Sequence, residues 1–219
     1  MKFFKGPKAG GFTLVELLIV IALIAILSVA VLATINPIEQ TNKARDAKFK
    51  NDTAEVLSAY ERFYASQNSY PWNDPTIANF VAQGTAGAFR SDSQLFGVLG
   101  ATGSGSTGAL VTTSELKSAF IGKEPFTKDF ATESNRMDAM YVWNNGLDSN
   151  YVCFVPKAQA NRVKTAELKC LSGVGSGATL EDYGDNACTT VSTWAATAAQ
   201  IGPHNNIANL MCVPEGKVN

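Results

Sequence analysis

A single carboxylate, Glu16, stands near the start of the run LVELLIVIALIAILSVAVLATI, residues 14–35, which is otherwise apolar or small apart from Ser28 and Thr34. A carboxylate is costly in lipid and usually has a partner there. The nearest candidate is a positive terminus. Cutting the chain between Gly11 and Phe12 would create an ammonium four residues before Glu16, about one helical turn away. That charge can pair within one chain or with a neighbouring helix, and the sequence leaves both open. The second group able to do chemistry is the set of four cysteines, Cys153, Cys170, Cys188 and Cys212. Four cysteines allow three connectivities, and an oxidising exterior favours two disulfides. The sequential pairing Cys153–Cys170 and Cys188–Cys212 is the expected one, with buried reduced thiols as the alternative. No close Cys-x-x-Cys pair supports a zinc site. His204 is the lone histidine, placed after Gly202-Pro203 with no recognisable nucleophile partner. Asp148, Asp182 and Asp185 lie in polar stretches and read as solvated turn acids. These residues predict no catalytic centre, no cofactor and no metal.

The elements that must position these residues begin with a basic leader, MKFFKGPKAGG, residues 1–11. As a helix, the 22 residues of 14–35 would span about 33 Å, enough to cross a bilayer core of about 30 Å. Lys2, Lys5 and Lys8 precede it and should remain cytoplasmic, which puts the C-terminal body outside. The remaining 15 basic residues face 19 acidic ones, so the body is acidic. That balance lacks the basic excess of a nucleic-acid footprint. An ordinary secretory signal would have a shorter apolar region followed by a small-x-small cleavage site. Ala30/Leu32 and Ala33/Ile35 make poor sites of that kind.

The combination over residues 10–25, GGFTLVELLIVIALIA, resembles the processing and methylation motif of type IV pilins and of the pseudopilins of type II secretion. The resemblance implies cleavage between Gly11 and Phe12 by a prepilin peptidase, methylation of the new Phe12 amine, and a role for Glu16 in methylation or orderly assembly. Thr13, Leu14 and Val15 fill the intervening pattern. Helices of that family often carry a glycine and a proline in their apolar half. Neither interrupts residues 14–35 here, and Pro37 in Asn36-Pro37 moves the expected kink to residues 33–37.

Beyond the kink, Phe49, Thr53, Val56, Tyr60 and Phe63 recur at spacings of three and four, with Leu57 and Tyr64 widening the stripe. The stripe should pack on the chain's own body. Lys43, Arg45, Asp46, Lys48, Lys50, Asp52, Glu55, Glu61 and Arg62 mark the wetter sides. The cluster Lys43–Lys50 reads chiefly as solvated helix charge, with headgroup contact and intersubunit ion pairs also open. Tyr70-Pro71 should end the helix, near Ser66–Ser69.

In the body, Thr76–Gln83, Asp92–Leu99 and Thr113–Phe120 are predicted as short helices, and the glycine-rich stretch 97–108 as a mobile surface loop. That stretch lacks the lysine and strand–helix context of a phosphate loop. Ala139–Trp143 and Tyr151–Val155 form the best hairpin candidate. Arg162–Lys169 is a strand candidate that is equally helix-compatible, and Thr189–Ala199 reads as strand or helix. A calcium loop, found in some pseudopilins, has no residue-by-residue match here.

The expected fold is therefore α+β and pilin-like, a long N-terminal transmembrane and amphipathic helix packed on a small antiparallel sheet. The divisions are a leader at 1–11, a membrane and filament-core helix at 12–35, an amphipathic continuation at 36–69, and an extracytoplasmic head at 70–219. The resemblance implies a non-enzymatic structural subunit of a pilus-like filament. Its partners would be the prepilin peptidase and N-methyltransferase, copies of itself and related pilins, the assembly machinery, and the lipid bilayer before assembly. A pseudopilin of a secretion or competence system is the alternative within this class. A membrane-anchored binding module is the alternative outside it.

Overall fold

The computed structural model describes residues 10–34, 36–101, 103–127, 137–147, 149–172, 174–182 and 207–218. The expectations for the leader before Gly10, for Asp148, Asp185, Cys188 and His204, and for Thr189–Ala199 lie outside the described residues. The chain divides into two units, Met1–Gln40 and Thr41–Asn219.

The first unit contains helix α1, Leu14–Thr34. Every large apolar side chain from Leu14 to Leu32 is exposed, on all sides of the helix. A helix apolar all round has no wet face to turn toward solvent. Leu14–Leu32 is long and apolar enough to cross a membrane. A separate helix, α2, spans Pro37–Gln67. Its start is written in the sequence: Asn36 Oδ1 accepts the Glu39 amide at 3.2 Å, and Pro37 supplies a pre-set φ at the first helical position. The interruption expected at residues 33–37 falls between the end of α1 at Thr34 and the start of α2 at Pro37.

The second unit is built on α2. Phe49, Val56, Ala59 and Tyr60 are fully buried, and Phe63 nearly so. The predicted stripe is thus the core face, with Leu57 and Tyr64 packed partly buried beside it. The helix ends at Gln67, where Asn68 takes a left-handed φ of 53° and donates its amide to the Tyr64 carbonyl at 2.8 Å.

Among the described residues nine strands follow: β1 (Gly87–Arg90), β2 (Leu99–Gly100), β3 (Gly103–Thr107), β4 (Met140–Asn144), β5 (Asn150–Phe154), β6 (Leu168–Leu171), β7 (Gly175–Ser176), β8 (Leu180–Asp182) and β9 (Ile207–Val213). Seven form one sheet in the order β7-β1-β4-β5-β9-β6-β8, and each pairing is antiparallel. The predicted hairpin is β4–β5, shifted by one residue at each end, with Tyr141 opposite Cys153 and Val142 opposite Val152. Alternation sorts its side chains onto two faces. Met140, Val142, Val152 and Phe154 join the α2 stripe in one core. Tyr141, Trp143, Tyr151 and Cys153 join Leu171, Leu180, Leu210 and Cys212 in a second core on the opposite face.

Several local expectations change. Thr76–Gln83 is not helical, and within Asp92–Leu99 only Gln94–Phe96 forms a 3₁₀ turn. Stretch 97–108 contains the β2–β3 hairpin, and helix α3 (Ala109–Thr112) begins just after it. Gly108 makes that fit possible, since a Cβ there would lie 2.4 Å from the Gly97 carbonyl oxygen. Thr113–Phe120 holds no α-helix, and a 3₁₀ segment covers Ser118–Gly122. Within Arg162–Lys169, a short helix ends at Arg162 and β6 begins at Leu168.

Candidate processing site

The α1 start is set by reciprocal hydrogen bonds. Thr13 Oγ1 accepts the Glu16 amide at 3.2 Å. Glu16 Oε2 accepts the Thr13 amide at 2.9 Å and the Thr13 hydroxyl at 2.8 Å. This is a capping box, in which the cap and the third helical residue satisfy each other's free amides. Both donors go to Oε2, and Oε1 has no partner among the described residues. The Thr13 carbonyl, bonded to the Leu17 amide at 3.3 Å, is an acceptor at the first turn. Gly10, Gly11 and Phe12 precede the helix and are exposed, Phe12 by 85%. Glu16, Gly11 and Phe12 are the residues expected from the sequence, and Thr13 has no role in that expectation. Its signal was the spacing Thr-x-x-Glu ahead of an apolar run, repeated as Asn36-x-x-Glu39 ahead of α2.

The cysteines depart from the expected pairing. Cys153 on β5 is bonded to Cys212 on β9, closing a sequence separation of 59 residues. This replaces both Cys153–Cys170 and Cys188–Cys212. The reason is topological: β9 lies beside β5, with Cys153 directly opposite Cys212. Cys170, on β6, is also disulfide-bonded.

Two acids assigned to the wet side of the long helix are buried instead. Asp46 is 3% exposed, and its carboxylate accepts the Lys157 amide at 2.8 Å, the Ala158 amide at 2.9 Å and Asn161 Nδ2 at 2.8 Å. It thus satisfies amides at the start of the short helix Gln159–Arg162, which its own sequence leaves without a side-chain cap. Beside it, Arg45 reaches Asp138 at 2.6 Å and covers the Phe49 ring at 3.9 Å. Asp52 is buried against Lys123 at 2.6 Å. These ions tie α2 to the rest of the second unit, whereas Lys43 and Lys48 stay exposed. Asp182 is no solvated turn acid either. It lies on β8, accepts the Lys169 ammonium at 2.7 Å and the Val218 amide at 3.2 Å.

Other electrostatic shifts are structural. Burial pushes the Tyr60 phenol well above its ordinary range, and its hydroxyl donates to the Phe96 carbonyl at 2.6 Å. Hydrogen bonds from Thr76 hold Asp74 below the usual carboxylate value. The Lys50 ammonium does the same for Glu215. No group of three or more metal-ligating side chains occurs among the described residues.

Comparison with curated proteins and with solved structures gives no match. The α+β layout, an N-terminal apolar helix followed by a helix and an antiparallel sheet, is consistent with a pilin-like fold. Residues 6–32 match the family model of the prokaryotic N-terminal methylation motif, so the chain carries a type IV pilin-like prepilin signal at the very helix whose start Thr13 and Glu16 define.

Proposed function

We propose that this chain is the precursor of a structural subunit in a type IV pilus-like filament. In this reading a prepilin peptidase removes residues 1–11, the Phe12 amine is methylated, and residues 12–35 act first as membrane anchor and then as filament core. Residues 36–69 carry the head, and residues 70–219 complete it outside the cytoplasm. The observation that carries the reading is the methylation motif placed on a helix whose apolar surface is exposed on all sides. Such a surface needs lipid before assembly and other apolar helices after it. Partners would be the peptidase and methyltransferase, further copies of the chain, and the membrane assembly machinery.

Mass spectrometry of the chain isolated from its native membrane tests this directly. A mature terminus at methylated Phe12 is expected, and an intact leader would sink the proposal. A pseudopilin role uses the same processing, so abundance in sheared surface filaments separates the two. High abundance identifies a major pilin.

A further inference from the structure

Resting on that reading, we infer that Thr13 is a positioning residue for processing: it ends the helix so that the Gly11–Phe12 bond stays extended and open to the peptidase. The cut hydrolyses one amide. Water adds to the Gly11 carbonyl carbon, the bond to the Phe12 nitrogen breaks, and the products are a Gly11 carboxylate and a Phe12 ammonium. Attack requires a Gly11 carbonyl that is neither hydrogen-bonded in a helix nor shielded by it.

The capping box secures that condition. With the boundary at Thr13, helix α1 begins at Leu14 and the Gly11 carbonyl lies ahead of it. If the helix grew backward by one turn, the Val15 amide would bond to that same carbonyl, in the ordinary i to i−4 pattern. An unsatisfied first-turn amide favours such growth. Thr13 removes the incentive because its Oγ1 accepts the Glu16 amide at 3.2 Å, the amide that would otherwise bond to the Phe12 carbonyl as the helix grew. Glu16 returns a carboxylate oxygen to the Thr13 amide and hydroxyl. The cut leaves every member of the box in place, because Thr13 keeps its amide bond to Phe12. Glu16 Oε2 then remains committed to the helix start, while Oε1 is left for an ammonium.

The test uses the full-length chain in membranes with an active prepilin-type peptidase, and reads the initial rate of leader removal by mass spectrometry. Thr13→Val preserves shape but removes the hydroxyl. Thr13→Ser and Thr13→Asn keep a capping oxygen. Cleavage should slow by about fivefold or more in Thr13→Val, while Thr13→Ser and Thr13→Asn stay within about twofold of wild type, following the order of N-cap preference. Wild-type speed in Thr13→Val overturns the inference and leaves the processing proposal standing, and so does slowing in Thr13→Ser and Thr13→Asn equal to that in Thr13→Val. A wild-type chain that is not cut before Phe12 defeats the processing proposal itself, and the inference with it.

Discussion

Helices α1 and α2 begin the same way and are held by different means. Each opens with a capping residue three positions before a glutamate, Thr13 before Glu16 and Asn36 before Glu39. Thereafter they diverge. Helix α1 has no buried side chain among those described, whereas α2 buries an aromatic stripe and two carboxylates. The apolar content of α1 is uniform around the axis, so it specifies an environment rather than a contact. That of α2 is directional, so it specifies one docking face. A helix of the first kind is free to exchange lipid for neighbouring helices. One of the second kind is committed to its own chain.

Substitutions should separate these two modes. On the proposed filament reading, the largest effect is expected from Glu16→Ala, which should cut incorporation into sheared filaments by on the order of tenfold or more while the second unit melts as in wild type. Normal incorporation would remove Glu16 from the assembly model. Phe49→Ala is the mirror case. Truncating this fully buried ring, in contact with Phe154 at 5.7 Å between centroids, should destabilise the head by about 3–5 kcal/mol. Denaturant unfolding of the detergent-solubilised chain reads that loss, and a change below about 1 kcal/mol would mean that the stripe is not the head's core.

Next in size is Cys212→Ser, expected to cost about 2–4 kcal/mol through the freed 153–212 loop, again measured by denaturant midpoint. Peptide mapping without reduction should recover Cys153 joined to Cys212. The smallest effect concerns Lys50 and Glu215. Glu215 has a depressed pKa in the fold, so the pair's contribution is present above the unfolded carboxylate pKa and fades as pH falls through the folded value. Both side chains are about half exposed, so screening limits the contribution to below about 0.5 kcal/mol. Lys50→Ala should flatten the acid limb of the stability curve slightly and leave neutral-pH assembly unchanged.

What could be read in the sequence was what depends on neighbours along the chain. The apolar run, the stripe from Phe49 to Phe63, the stop before Tyr70-Pro71 and the β4–β5 hairpin all repeat within a few residues, and all reappear in the structure. The misreadings depended on distant partners. Asp46 looks like a wet helix charge until the amides of Lys157 and Ala158 arrive beside it. The cysteine pairing required knowing that β9 lies beside β5. Strand β9 itself was hidden because its alternation is broken: Asn209 takes a φ of 58°, and the pairing with β6 shifts register between Lys169 and Leu171. A glycine-rich segment likewise gives little sign of a hairpin when its packing comes from Gly97 and Leu99 pressing on Gly108.

The place of β9 also has a consequence in time. It is synthesised after every other strand of the seven-stranded sheet, yet it lies in the interior, between β5 and β6. Until β9 has emerged, β6 lacks the strand that joins it to β5 among the described residues, and Cys153 has no Cys212. Joining β5 to β6 therefore waits for the last strand, a non-local step. The same strand completes both cores, with Met211 in the α2-facing one and Leu210 and Cys212 in the opposite one. Whatever guards the unfinished head against aggregation must act until that strand is delivered.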